Sequence, residues 1–266
     1  MATPASLRVL EHELLLYRRS FRGTIVSSFL NPVLYLAAMG VGLGGYVAGS
    51  KGGGGAAASA ALLGGVSYLA FLAPGLLAST AMQTAANEST FPIMGGILWD
   101  RTFLGMLVTP IRVFDILLGK VLFIVLRLAL VTGVFFGVMV VFGAATGPQA
   151  FLAVPAAILT GLAFMTPIIA FSATQKDANG FNSLFRFGVI PLFLFSGTFF
   201  PISQLPAILQ PVAFVTPLWH GVDLCRTLAL GTATPIGVLV HGGYLVGISA
   251  LGLVLASISL RRRLRQ

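Results

Sequence analysis

Charge is scarce in this chain, and acidic charge scarcer still: charged residues make up 9% of it, with 16 Lys and Arg against 7 Asp and Glu. So little charge leaves a water-exposed surface poorly hydrated. A hydrophobic content of 57% and a mean hydropathy of +0.97 instead fit a polytopic membrane protein. The net charge of +9 sits in small groups at the ends of apolar stretches rather than in one basic patch, so it reads as membrane topology and not as a nucleic-acid footprint. There is a single cysteine, Cys225, which excludes an intramolecular disulfide and a thiolate metal cluster. The sequence contains no G-x-x-x-x-G-K-[ST] phosphate loop, so this chain is not expected to bind and hydrolyse ATP by that route, and no H-E-x-x-H occurs. His12, His220 and His241 fall in different expected compartments or depths, which leaves no metal site visible. The first 22 residues are too polar and basic for a signal peptide and point to an uncleaved amino terminus.

What the chain has is apolar length. Six stretches, near 24–47, 57–83, 116–143, 150–174, 184–200 and 236–260, suit helices that cross a bilayer, which takes about 20 residues. The fifth is short and its end uncertain. With a cytoplasmic amino terminus, thirteen Lys and Arg fall on inside segments and only Lys51 and Arg226 on outside ones, with Arg127 left inside the third stretch. That bias puts both termini in the cytoplasm. Ahead of the first stretch, Thr3 and Pro4 can start a helix over 4–22, in which Leu7, Leu10, Leu14, Tyr17 and Phe21 recur at steps of three and four. It reads as an interfacial helix with its arginines at anionic headgroups.

The first outer loop, SKGGGGAAAS, is a flexible connection. The segment 200–234 is too apolar for a free loop and too broken by Pro201, Pro206, Pro211 and Pro217 for one spanning helix, so it is expected to dip back into the outer leaflet as a re-entrant hairpin. Gly40/Gly44, Gly133/Gly137 and Gly243/Gly247 would allow close helix approach, and Asn31-Pro32 and Pro74 would kink their helices. All seven acidic residues lie outside the confident spans, which argues against a proton-driven carrier and leaves Arg127 with no carboxylate partner at its own depth. Arg127 therefore reads either as a contact for an anionic group in a wet cavity or as a structural arginine on backbone carbonyls.

The stretch Glu88–Lys120, ESTFPIMGGILWDRTFLGMLVTPIRVFDILLGK, carries several charges between two apolar stretches. Phe103, Leu104, Leu107 and Val108 fall along one side of a short helix that Thr109-Pro110 ends. This stretch resembles the cytoplasmic signature of type-2 ATP-binding-cassette exporter permeases, a glutamate followed by an arginine, then L-x-x-TP, then LGK. The run LFLFSGTFFPISQLPAILQPVAFVTPLWHGVDLCRTLALG is similar to that family's fifth span and outer hairpin. The closest flavour is the nodulation lipo-oligosaccharide and daunorubicin exporter type.

The resemblance implies an all-α permease of six transmembrane helices in one domain over 1–266, with an interfacial helix at 4–22, a cytoplasmic coupling segment at 88–115 and an outer hairpin at 200–234. It implies an exporter of an amphiphilic drug, lipid or lipid-linked glycan in the bacterial plasma membrane. The permease would pair with a second copy, as homodimer or heterodimer, and with two copies of a separate ATPase that carries the ATP and Mg, this chain having no cofactor, metal or catalytic residue of its own. Glu88, Trp99, Asp100, Arg101, Thr102, Phe103, Leu104 and Leu107 would form the ATPase contact. The usual E-R-E-x-G-T run is here ESTFPIMGG, a departure that changes the charges available there. Asn31, Arg127, Phe195, Ser196 and Thr198 are candidates for the substrate pathway, which the first, second and fifth spans would line. The competing readings are a membrane-embedded lipid-modifying enzyme, for which His220, Asp223 and His241 would have to converge, and an ion-driven carrier.

Overall fold

The computed structural model describes residues 4–38 and 65–264, with the side chains of 19–29, 31 and 32 excepted. Among these residues the chain is helical throughout and has no strand. Thr3, Gly40, Gly44 and the loop SKGGGGAAAS lie outside the described residues.

Helix α1 runs Ala5–Tyr35, so the expected interfacial helix and the start of the first apolar stretch are one unbroken helix that passes through Asn31-Pro32. Next come α2 (Tyr68–Ser89), α3 (Phe91–Met94) and a π-helical turn Gly95–Trp99, a helical run that extends well past the expected end near residue 83. The short α4 (Thr102–Leu107) precedes α5 (Val113–Val141) and α6 (Ala153–Ser172). The fifth stretch holds α7 (Asn179–Leu184), a second π-helical turn Phe185–Val189 and α8 (Ile190–Phe195). After α9 (Gln210–Val215) and α10 (Pro217–Leu230) comes α11 (Pro235–Leu264). Among the described residues, four helical runs are long and apolar enough to cross a membrane: Tyr68–Trp99, Val113–Val141, Ala150–Ser172 and Pro235–Leu264. The fifth stretch is not among them, because its helix stops at Phe195 and Gly197 turns the chain at φ 80°.

Burial separates the centre from the rim. The apolar window of Tyr68–Trp99 is 78% buried and that of α11 only 11%. Helix α2 can take the centre because its buried side is small: Ala70, Ala73, Gly75, Ala78, Ser79, Ala81 and Ala85 let α6, α10 and α5 come close. The glycine pairs work differently from expectation. An added Cβ at Gly133, Gly137, Gly243 or Gly247 would meet nothing within 4 Å. The close approach comes at Gly252, where α11 lies against Pro167, and at Gly119, where a Cβ would reach within 2.6 Å of Val9 on α1.

The α10 side of the bundle is tied by Arg226, which position alone had made a loop charge. Arg226 Nε donates to Phe71 O of α2 at 3.0 Å. Its Nη2 donates to Gly197 O at 2.8 Å, and the guanidinium lies 3.7 Å from the centre of the Phe71 ring.

Gly252→Ala would put a Cβ 2.6 Å from Pro167 Cδ and 2.7 Å from Pro167 N. We expect it to cost about 1–3 kcal/mol and lower the thermal denaturation midpoint in detergent, with Gly243→Ala leaving that midpoint unchanged.

Candidate functional site

The end of the bundle that holds α4 is organised by two ion pairs on one face of α5. Lys120 and Arg127 are seven residues apart, two helical turns, and so point the same way. Lys120 Nζ meets Glu13 Oε2 of α1 at 2.7 Å with both side chains almost fully buried, and Arg127 Nη2 meets Glu88 Oε1 of α2 at 3.0 Å. Tyr17, one turn beyond Glu13, places its ring 4.6 Å from the Arg127 guanidinium, and the Phe103 ring lies 5.7 Å from Lys120 Nζ. Four segments therefore meet here: α1, the end of α2, α4 and α5.

This arrangement corrects the expectation that no carboxylate accompanies Arg127. Glu88 belongs to the span Tyr68–Trp99, and it is the partner. The argument against a carrier from the lack of an intramembrane carboxylate therefore no longer stands. On α1, Ser6, Val9 and Glu13 are buried against the bundle with Leu10 and Tyr17 partly covered, and Leu7 and Leu14 of the expected interfacial stripe face outward.

Trp99 to Leu107 is not one continuous helix. Trp99 closes the π-helical turn, and Arg101 adopts φ 51°, the one non-glycine residue with positive φ among those described, before α4 begins at Thr102. The expected stripe is split as well. Phe103 is 1% exposed and tucks under Gly96, where a Cβ would come within 2.6 Å of its ring. Trp99, Leu104 and Val108 are 59%, 42% and 88% exposed. Asp100 and Arg101 are exposed beside them, and Thr102 and Leu107 are partly covered. Glu88 stands apart from this outward face.

The pathway candidates separate. Ser196 and Thr198 are buried in a hydroxyl chain, Ser196 Oγ to Thr198 Oγ1 and Thr198 Oγ1 to Ser79 Oγ, both at 2.9 Å, which ties the end of the fifth stretch to α2. Phe195 lines an apolar cavity of about 260 Å³ with Phe187, Leu192, Leu209 and Val212. Arg127 belongs to the charged cluster, and the Asn31 side chain lies outside the described residues. A second cavity, of about 320 Å³, lies between Tyr35 near the end of α1, Gln83 and Asn87 of α2, and Phe185, Val189 and Phe193. The two amides stand one turn apart among aromatic rings. The signal for them was the pair of amides one turn apart in AMQTAANES.

Between α10 and α11, His220, Asp223 and His241 do converge. His220 Nδ1 lies 2.8 Å from His241 Nδ1, and His241 Nε2 lies 3.3 Å from Asp223 Oδ2. The set is satisfied when His220 donates through Nδ1 to His241, whose own N–H faces Asp223. Tyr244 stacks on the His220 ring at 3.9 Å and its hydroxyl donates to Val215 O. Burial, with His241 beside it, holds the His220 pKa below its ordinary value. No group of three metal-binding side chains occurs among the described residues.

Residues 7–230 match the model of the ABC-2 type transporter family. The chain belongs to that family. It is an integral membrane protein and the permease component of an ABC transporter. It is similar to Nodulation protein J of Rhizobium leguminosarum bv. trifolii, 31% identical over 93% of this chain and 89% of that one. Nodulation protein J of R. leguminosarum bv. viciae is 31% identical over 97% and 94%, and that of Rhizobium meliloti (strain 1021) is 28% identical over 94% and 90%. No solved structure matches.

Two outcomes test this geometry. Glu88→Gln and Arg127→Met should each cost about 2 kcal/mol of stability, because each strands the other charge, and the double variant should regain part of the loss; strictly additive losses would mean that the pair does not couple. Because His220 is held low, its contribution to stability is complete above about pH 6.5 and is lost as the pH falls below that value. Wild type should therefore lose thermal stability between pH 7.5 and 5.5 more steeply than His220→Gln.

Proposed function

We propose that this ABC-2 permease is the membrane subunit of an exporter for an amphiphilic lipid, drug or lipid-linked glycan, driven by a separate ATPase that docks on Trp99, Leu104 and Val108. The observation that carries the reading is this exposed apolar edge, flanked by Asp100 and Arg101 and joined through Phe103 to the ion-pair cluster. An apolar edge rimmed by charge suits a protein partner, and its link through Lys120 and Glu13 gives motion at that edge a path into α5 and α1. In this reading the chain has six spans with both termini cytoplasmic, and it works as a dimer with two ATPase copies. The cavity between α1, α2 and the fifth stretch, with Gln83 and Asn87 among aromatic rings, suits a ligand with an apolar body and a polar group.

One observation favours a second reading, a lipid-modifying enzyme: the chain Asp223–His241–His220. A double His220→Ala/His241→Ala variant that transports normally would remove it.

The first test is co-purification of the tagged chain from membranes. The wild type should bring an ATPase subunit with it, and Trp99→Ala/Leu104→Asp should lose at least about tenfold of that subunit while staying folded, the expected result for removing two apolar anchors at an interface. Equal recovery from both would place the docking surface elsewhere.

A further inference from the structure

A cleft of about 630 Å³ opens at the end of the bundle where the coupling segment meets the last helix, lined by Leu107, Arg112, Val113, Phe114, Asp115, Arg261 and Leu264. Arg112 caps the start of α5 and Arg261 lies in the last turn of α11, so two elements far apart in sequence bring one guanidinium each. Asp115 does not cancel them. Its Oδ2 already accepts the Arg112 backbone N–H at 3.0 Å, and the lining keeps a net charge of one positive unit. Below the cleft, α11 carries Leu251, Val254, Leu255 and Ile258 at 62%, 56%, 45% and 42% exposure. At steps of three and four these lead up the helix to Arg261. Phe114, 42% exposed, adds an apolar wall from α5.

We propose that this cleft holds the headgroup of a singly charged anionic phospholipid, of the phosphatidylglycerol class, with its acyl chains along the exposed stripe of α11. A monoanionic phosphodiester neutralises the lining charge, and the paired guanidiniums supply the planar donors that a phosphate takes. The size of the cleft falls within the usual range for a small-ligand site. The position accounts for the occupant: charge at the end of the spanning length and an apolar track on one side make the shape of a lipid and not of a free solute. The same phosphate chemistry could come from a soluble phosphoglycerol, and the experiment separates the two. The lipid would bridge the start of α5, where the coupling segment ends, to the end of α11.

The test is native mass spectrometry of the full-length permease released from detergent with added phosphatidylglycerol, phosphatidylcholine of the same chains, or glycerol phosphate. The expected result is one retained phosphatidylglycerol, a clear preference over phosphatidylcholine, and no displacement by glycerol phosphate. Arg112→Gln/Arg261→Gln should weaken retention about 30-fold, from about fivefold for each arginine near a lipid surface. Lys176→Gln/Arg262→Gln makes the same charge change at exposed positions outside the cleft and should leave retention unchanged. Equal weakening in both pairs would overturn the site in favour of diffuse attraction. Absence of any preference, or displacement by glycerol phosphate, would overturn the lipid as its occupant.

Discussion

Two ion pairs side by side on one face of α5 are the constraint on which the α4 end of this protein depends. A charge within a bilayer-spanning bundle costs several kcal/mol unless a partner of opposite sign lies within reach. Lys120 and Arg127 therefore fix where α1 and the end of α2 must lie, since Glu13 and Glu88 have to arrive at them. Apolar packing alone would let helices slide along one another at little cost. Two cations two turns apart on α5, each met by a carboxylate from a different helix, allow one register. The rings of Tyr17 and Phe103 cover the cations, and through Phe103 the short α4 is held to the same frame.

The half of the bundle around Arg226 reaches a similar end without paired charges. Arg226 is satisfied by backbone carbonyls and an aromatic face, and Ser79, Thr198 and Ser196 pass hydrogen bonds between α2 and the chain beyond α8. One of its acceptors, Gly197 O, belongs to the turn at Gly197, so irregular backbone supplies part of the site that the arginine fills. Irregular backbone at membrane depth persists where protein groups satisfy it, and here they do.

The spans with long apolar runs were legible because a bilayer demands length and hydropathy, and both are local properties of a sequence. The charged cluster was not. Glu13 lies on a helix whose leucines draw the eye to another face, and its partner Lys120 is more than a hundred residues away, where no periodicity connects them. Glu88 was read as a cytoplasmic contact because helix α2 looked finished near residue 83, but it continues through Ser89. Arg226 was counted as a loop charge, its carbonyl partners being visible only once Phe71 and Gly197 are placed. The break at Arg101 had no signature either, because arginine is not a residue type that announces a left-handed turn. His220, Asp223 and His241 could be named as a possible set, but only the packing of α10 on α11 brings them together.

The unbroken course of α1 has a structural consequence. Glu13 is clamped in the charged cluster, and Tyr35 stands at the edge of the amide-lined cavity, about 33 Å further along the same rod at 1.5 Å per residue. One helix packed on α5 therefore spans the distance between the ion pairs and the cavity, and a single element has a place in both.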